Sequence, residues 1–232
     1  LFELLIRQDG LCAYTEWKLI DKSQVEALSQ SFVNGKVSKA QKPETFVDLE
    51  HFDPTLKTSQ PWNWDNLFAV WDGVNKIKGN KPVDPILKPD SQGYDPYRLL
   101  EYNAEHHRFY PNQNLSDLEK SRVARMLSVL GINYGKVVQE RRDYLEEKLK
   151  KSELDGLPPK IHQFPTAFAM IQRNPRPWNL VLAETHKNVS KIHDSKSNTS
   201  HEDTRKARAA AFSTAVPIHG HAVCPISIRN AV

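Results

Sequence analysis

Residues 45–54 read TFVDLEHFDP, and this stretch decides the architecture. Phe46, Asp48 and Glu50 alternate with Val47, Leu49 and His51. A period of two marks an extended strand whose successive side chains leave opposite faces. The reading is a strand ending near His51, with Glu50 and His51 directed to opposite sides. Toward the C-terminus, DPTLKTSQPWNWDN (53–66) carries Pro54 and Pro61 and reads as a loop. LFAVW (67–71) reads as a second short strand. DGVNKIKGNK (72–81) opens a helix, with Asp72 as its N-cap and Gly79 ending its turns. Strand, loop, strand and helix is the expected order across residues 46–79.

The flanks supply the rest of a core. Leu1, Leu4 and Leu5 lie at helical spacing, and Gly10 stops that pattern. LCAYTEWKL (11–19) reads as a short strand or turn, residues 22–32 as a second short helix, and the polar stretch 33–45, with Gly35 and Pro43, as a loop. Residues 81–98 contain four prolines and read as an extended loop wrapping the domain. A clear amphipathic helix is expected over 116–130: Ser116 caps it, Glu119 completes a capping box, Val123, Met126, Leu127 and Leu130 turn inward, and Gly131 ends it. A charge-rich helix follows from about 134 to 151, and Pro158-Pro159 closes the unit. Residues 186–208 have the polar composition of a loop or a disordered segment, and VPIHGHAVCPISI (216–228) reads as an edge strand.

Composition narrows the function classes. The chain has 232 residues, 39% apolar and 26% charged, enough for one sizeable core. A net charge of +4 permits a polyanionic partner without demanding one. Two distant cysteines, Cys12 and Cys224, make no disulfide framework, and the expectation is a cytoplasmic protein with reduced thiols. No stretch approaches the roughly 20 apolar residues of a membrane span.

The words VDLEHFDP, WDNLFAVW and VNKIKG, with Glu50-His51, Asn66, Asn75 and Lys78 in that order, resemble the HNH nuclease motif. More narrowly, they are similar to the pattern of the HNH nucleases in Septu-type anti-phage systems. DPILKPDSQGYDPY, HHRFYP and the helix running from VLGIN to Arg141-Arg142 extend the likeness over roughly residues 1–150. The resemblance implies an α+β chain, a ββα-metal finger embedded in a mainly helical domain. The chain is read as a nuclease domain with a C-terminal helical pair (1–158) and a partly irregular tail (159–232), which the resemblance does not cover and which is a candidate partner-binding segment. The resemblance also implies metal-assisted hydrolysis of a phosphodiester, with DNA the expected substrate and RNA left open, and an ATPase partner of ABC/SMC-like type.

The chemistry explains these residue types. Hydrolysis needs an activated water and a place for charge on the departing oxygen. A histidine titrates near working pH and suits a general base. Carboxylate and amide oxygens suit Mg²⁺ or Mn²⁺. By resemblance, one ion sits between Glu50, Asn75 and the scissile phosphate, His51 deprotonates the water, and Asn66 ties the loop to the strand and orients His51. Lys78, one turn after Asn75, is placed to meet the phosphate backbone, and Arg141 and Arg142 are candidates for further phosphate contacts.

One part of the pattern is broken. Where many relatives carry two Cys-x-x-Cys pairs, this chain reads Cys12-Ala13-Tyr14-Thr15 and Trp71-Asp72-Gly73-Val74. One thiolate cannot close a structural zinc site, so none is expected, with Trp71, Val74 and Tyr14 filling the space. Other constellations have bland readings beside functional ones. His106-His107 is a solvated turn or a phosphate or metal contact. His219, His221 and Cys224 lack a nearby fourth ligand. Trp62 and Trp64 pack against the domain or stack on bases. The rival to the nuclease is a catalytically inactive HNH-fold scaffold that binds nucleic acid; a pure interaction module acting through the long helices is a further alternative.

Overall fold

A computed structural model describes residues 1–21, 23–25 and 47–174. It is a mixed α+β fold with two small antiparallel sheets among several helices. In chain order these are α1 (Phe2–Arg7), β1 (Val47–His51), α2 (Leu56–Ser59), β2 (Leu67–Trp71), α3 (Asp72–Lys78), α4 (Pro96–Leu99), β3 (Leu100–Asn103), β4 (Arg108–Pro111), α5 (Asp117–Val129), α6 (Gly135–Asp155) and α7 (Pro165–Arg173). β1 pairs with β2, and β3 with β4. The helix expected over 22–32 falls mostly outside the described residues. So do the 33–45 loop, the polar 186–208 stretch, the strand expected at 216–228 and the His219, His221, Cys224 group.

The β1–β2 register sets which residues share a face: Asp48 lies opposite Val70, Glu50 opposite Phe68, and His51 opposite Leu67. Side chains alternate between faces, so Val47, Leu49, Leu67 and Ala69 turn toward α1, where they pack with Leu4 and Leu5. Phe68 and Val70 turn the other way into the main core. The outer edge of β2 is covered by a side chain. Gln8, wholly buried, accepts from the Ala69 N–H at 3.0 Å and donates to the Ala69 carbonyl at 2.8 Å. It stands in for a neighbouring strand at that residue, and the Ala13 N–H adds a second donor to the Ala69 carbonyl at 3.1 Å.

α3 follows β2 without a linking residue. Its N-cap is Trp71, not Asp72, which is already the first helical residue. α5 carries the expected capping box between Ser116 and Glu119. At its end Gly131 has φ of +63°, and a Cβ there would meet the Val74 side chain at 3.1 Å. Glycine is therefore what lets α5 close against α3. α6 runs four residues past its expected end, stopping at a left-handed Gly156.

Three features were not foreseen. The EYNAEHHRFYP stretch forms the β3–β4 hairpin. The 81–98 loop contains short helical turns at Pro85–Leu87 and, from Pro96, α4. The boundary expected at 158 does not end the packed unit, because Phe164, Ala167 and Ile171 lie buried in the main core. Glu16 holds α7 in place, since its carboxylate accepts from the Thr166 N–H at 2.9 Å and from the Thr166 hydroxyl. Lys18 N–H donates to Gln163 nearby at 3.1 Å.

Arg141 corrects the sequence reading most sharply. Expected at a phosphate, it is wholly buried. Its two terminal nitrogens donate to the carbonyls of His107 and Ile132, each at 2.9 Å, and its guanidinium lies between Phe109 and Phe164. Burial pulls its pKa down to about 10. Arg142 beside it is half-buried and remains on the outer side of α6. Removing the Arg141 guanidinium strands two buried carbonyls, so Arg141→Met is expected to cost about 3 kcal/mol in urea unfolding, against near zero for Arg142→Ala.

His107 is the buried half of the His106-His107 pair. It sits in left-handed backbone at φ of +53°, with Nδ1 hydrogen-bonded to the Tyr102 hydroxyl at 2.8 Å and Nε2 3.4 Å from Glu146. Burial, with Arg142 and Arg141 adding repulsion, pulls its pKa from 6.5 down to about 4. Below pH 6.5 the unfolded chain takes up a proton that the folded one refuses, so stability falls as pH drops toward 4. Between pH 7 and pH 5 the loss from this group is about 2 kcal/mol. His107→Asn, which tolerates the left-handed backbone, is expected to flatten that slope in urea titrations at the two pH values.

Candidate active site

The site is built where β1 ends. Glu50 and Asp48 stand two residues apart on the strand and so share the face turned toward α3. Asn75 and Lys78 reach toward them from that helix. Glu50 is 6% exposed. Its carboxylate is ion-paired with the wholly buried Lys78 ammonium, which also donates to the His51 carbonyl at 2.9 Å. Lys78 therefore does not meet solvent or a phosphate; it ties the last turn of α3 to the end of β1. Burial pushes the Glu50 carboxyl up, and hydrogen bonding and charge from Lys78, then the charges of His51 and Lys57, pull it back. Asn75 is engaged with a residue that the sequence reading passed over, its amide nitrogen donating to Asp48 at 3.0 Å. The signal for Asp48 was present in the alternation that placed it on the Glu50 face.

His51 leaves the opposite side of the strand. Its Nε2 lies 2.8 Å from the Pro61 carbonyl in the loop. A carbonyl only accepts, so Nε2 carries a proton, and in the neutral ring Nδ1 is the nitrogen with the lone pair. The loop that supplies this carbonyl is fixed by Asn66, 3% exposed, whose side-chain amide pairs with both backbone groups of Asp53: Oδ1 accepts from its N–H at 2.7 Å and Nδ2 donates to its carbonyl at 3.0 Å. The Asn66 carbonyl takes the Phe52 N–H at 2.8 Å. Asn66 clamps both ends of the loop, and Pro61 is the residue that touches the imidazole.

Asp48, Glu50 and Asn75 put hard oxygen donors on one face. Oxygen donors of this kind are those that Mg²⁺ or Mn²⁺ takes, but here the Glu50 carboxylate is ion-paired with Lys78 and the Asn75 amide nitrogen is turned to Asp48. The set is not a closed protein cage, since among the described residues no three His, Cys, Asp or Glu side chains form a metal cluster. At the position of the broken cysteine pattern, Cys12 and Val74 are wholly buried, the Trp71 N–H donates to Cys12 Sγ at 3.5 Å, and the Trp71 ring packs 4.9 Å from Trp17. Among the described residues no helix is long and apolar enough to cross a membrane. No protein-family model matches the chain, and no curated protein matches it.

The Glu50–Lys78 pair makes a direct prediction. Lys78→Met leaves a buried carboxylate without its partner and is expected to cost about 3 kcal/mol or more in urea unfolding. Adding Glu50→Gln to that variant is expected to restore much of the loss. Additive single effects would show that the two groups are not coupled.

Proposed function

We propose that this chain is an HNH-type, metal-dependent nuclease that hydrolyses phosphodiester bonds of nucleic acid. The observation that supports it most is the His51–Pro61 hydrogen bond. A backbone carbonyl sets the tautomer and orientation of an imidazole whose other nitrogen is left basic, which is the preparation a general base needs. In this reading His51 Nδ1 takes the proton from the attacking water. Asn66 acts as a positioning residue, holding the loop from which Pro61 reaches the imidazole. Glu50 and Asn75, with Asp48 beside them, would hold Mg²⁺ or Mn²⁺. When bound, the ion would neutralise charge on the phosphoryl and departing oxygens. Lys78 holds the strand end and partly compensates Glu50. The ATPase partner and the anti-phage setting rest on the motif resemblance alone.

A catalytically inactive scaffold that binds nucleic acid is favoured by one observation: the Glu50 carboxylate already has a buried ammonium as its counter-ion. The two readings separate in a single assay. The full chain, purified with whatever partner it retains from its host, is incubated with DNA and RNA pools in Mg²⁺, in Mn²⁺ and with a chelator. Metal-dependent degradation that falls at least about 100-fold in His51→Ala is expected. Wild-type protein no faster than the variant would leave the scaffold reading.

A further inference from the structure

The loop that orients His51 carries two indoles that the core does not use. Trp62 is 77% exposed and Trp64 is 41% exposed. Trp62 directly follows Pro61, whose carbonyl lies 2.8 Å from His51 Nε2, so its backbone is anchored beside the imidazole. The Arg7 guanidinium lies 5.7 Å from the Trp64 ring centre. Lys57 is exposed on α2 in the same loop, and its charge favours the ionised Glu50 carboxylate. Among the acids here, the Asp53 carboxylate is turned onto the Thr55 N–H and hydroxyl, and Asp65 lies exposed between Trp64 and Asn66.

We infer that Trp62 and Trp64 form a stacking platform for unpaired bases, and that the substrate enters as single-stranded nucleic acid. The inference rests on the nuclease reading, which places a nucleic acid at His51. An exposed indole offers a flat face that accepts any base, provided the base is not buried in a duplex. A duplex would instead require a row of cations for two phosphate backbones. This rim offers two indoles and Lys57, while Arg7 is ion-paired with Glu3 at 2.8 Å and Asp65 lies exposed beside Trp64. That balance suits one strand with splayed bases. Arg7 stiffens Trp64 from behind by a cation–π contact, while Trp62 is free to take the base nearest the scissile bond.

The test uses the full chain carrying His51→Ala, so that binding is read without cleavage. Fluorescence anisotropy compares labelled oligo-dT, labelled oligo-rU and a dA·dT duplex at low salt. At least one single strand is expected to bind more tightly than the duplex and to quench tryptophan emission. Adding Trp62→Ala is expected to weaken that binding about tenfold, the size of one base–aromatic stack, and Trp62→Phe to retain most of it. The dT and rU arms show whether the bound strand is DNA or RNA. Equal binding with and without Trp62, tighter binding of the duplex, or no binding of any of the three would overturn the proposal. Trp62-dependent binding without His51-dependent hydrolysis would sink the nuclease reading and leave the platform. Hydrolysis that depends on His51 and is indifferent to Trp62 would do the reverse.

Discussion

A buried ammonium holds the candidate site together. Lys78 comes from the last turn of α3, yet its charge lies inside the protein, against Glu50 and the His51 carbonyl. A charge in that position is tolerated only because a carboxylate and a carbonyl answer it. The strand end, the helix and the imidazole's backbone are thereby fixed relative to one another. Glu50 cannot turn outward without abandoning Lys78, and α3 cannot slide without uncovering Glu50. Asn75 then meets Asp48 because the same helix is already pinned one turn further on. The electrostatics and the rigidity of this corner have one origin.

The β1, β2 and α3 elements were legible in the sequence because each depends on local pattern. Alternation through Val47 to His51 gives a strand, the apolar run Leu67 to Trp71 gives its partner, and Gly79 ends the helix. The α5 capping box was legible for the same reason, since Ser116 and Glu119 recognise each other three residues apart. The β3–β4 hairpin was not. Its strands have four residues each, and His107 enters left-handed backbone where the turn closes, a conformation that glycine or asparagine would have signalled.

The charged residues were harder still. Arg141 stands in a helix rich in lysine, arginine and glutamate, and Lys78 in a short one with a second lysine, and such residues usually face water. Their burial depends on groups distant in sequence: His107 and Ile132 for Arg141, Glu50 and His51 for Lys78. No local window contains that information. The same limit hid Asn66's partners. The residue was identifiable as the tie between loop and strand, but the part in contact with His51 proved to be Pro61, through a carbonyl that every residue type possesses.

The Glu16–Thr166 contact has a consequence for how the chain assembles. These residues are 150 positions apart, and Glu16 answers the start of the last described helix. Closing so long a loop carries an entropic cost that local contacts do not. The wall formed by Phe164, Ala167 and Ile171 is also the last described part of the core to be synthesised. During synthesis the sheet, α5 and most of α6 leave the ribosome before it exists. The surface it covers stays open to water and to other chains until synthesis has passed residue 171, so the core of the described residues is complete only once this helix has been made.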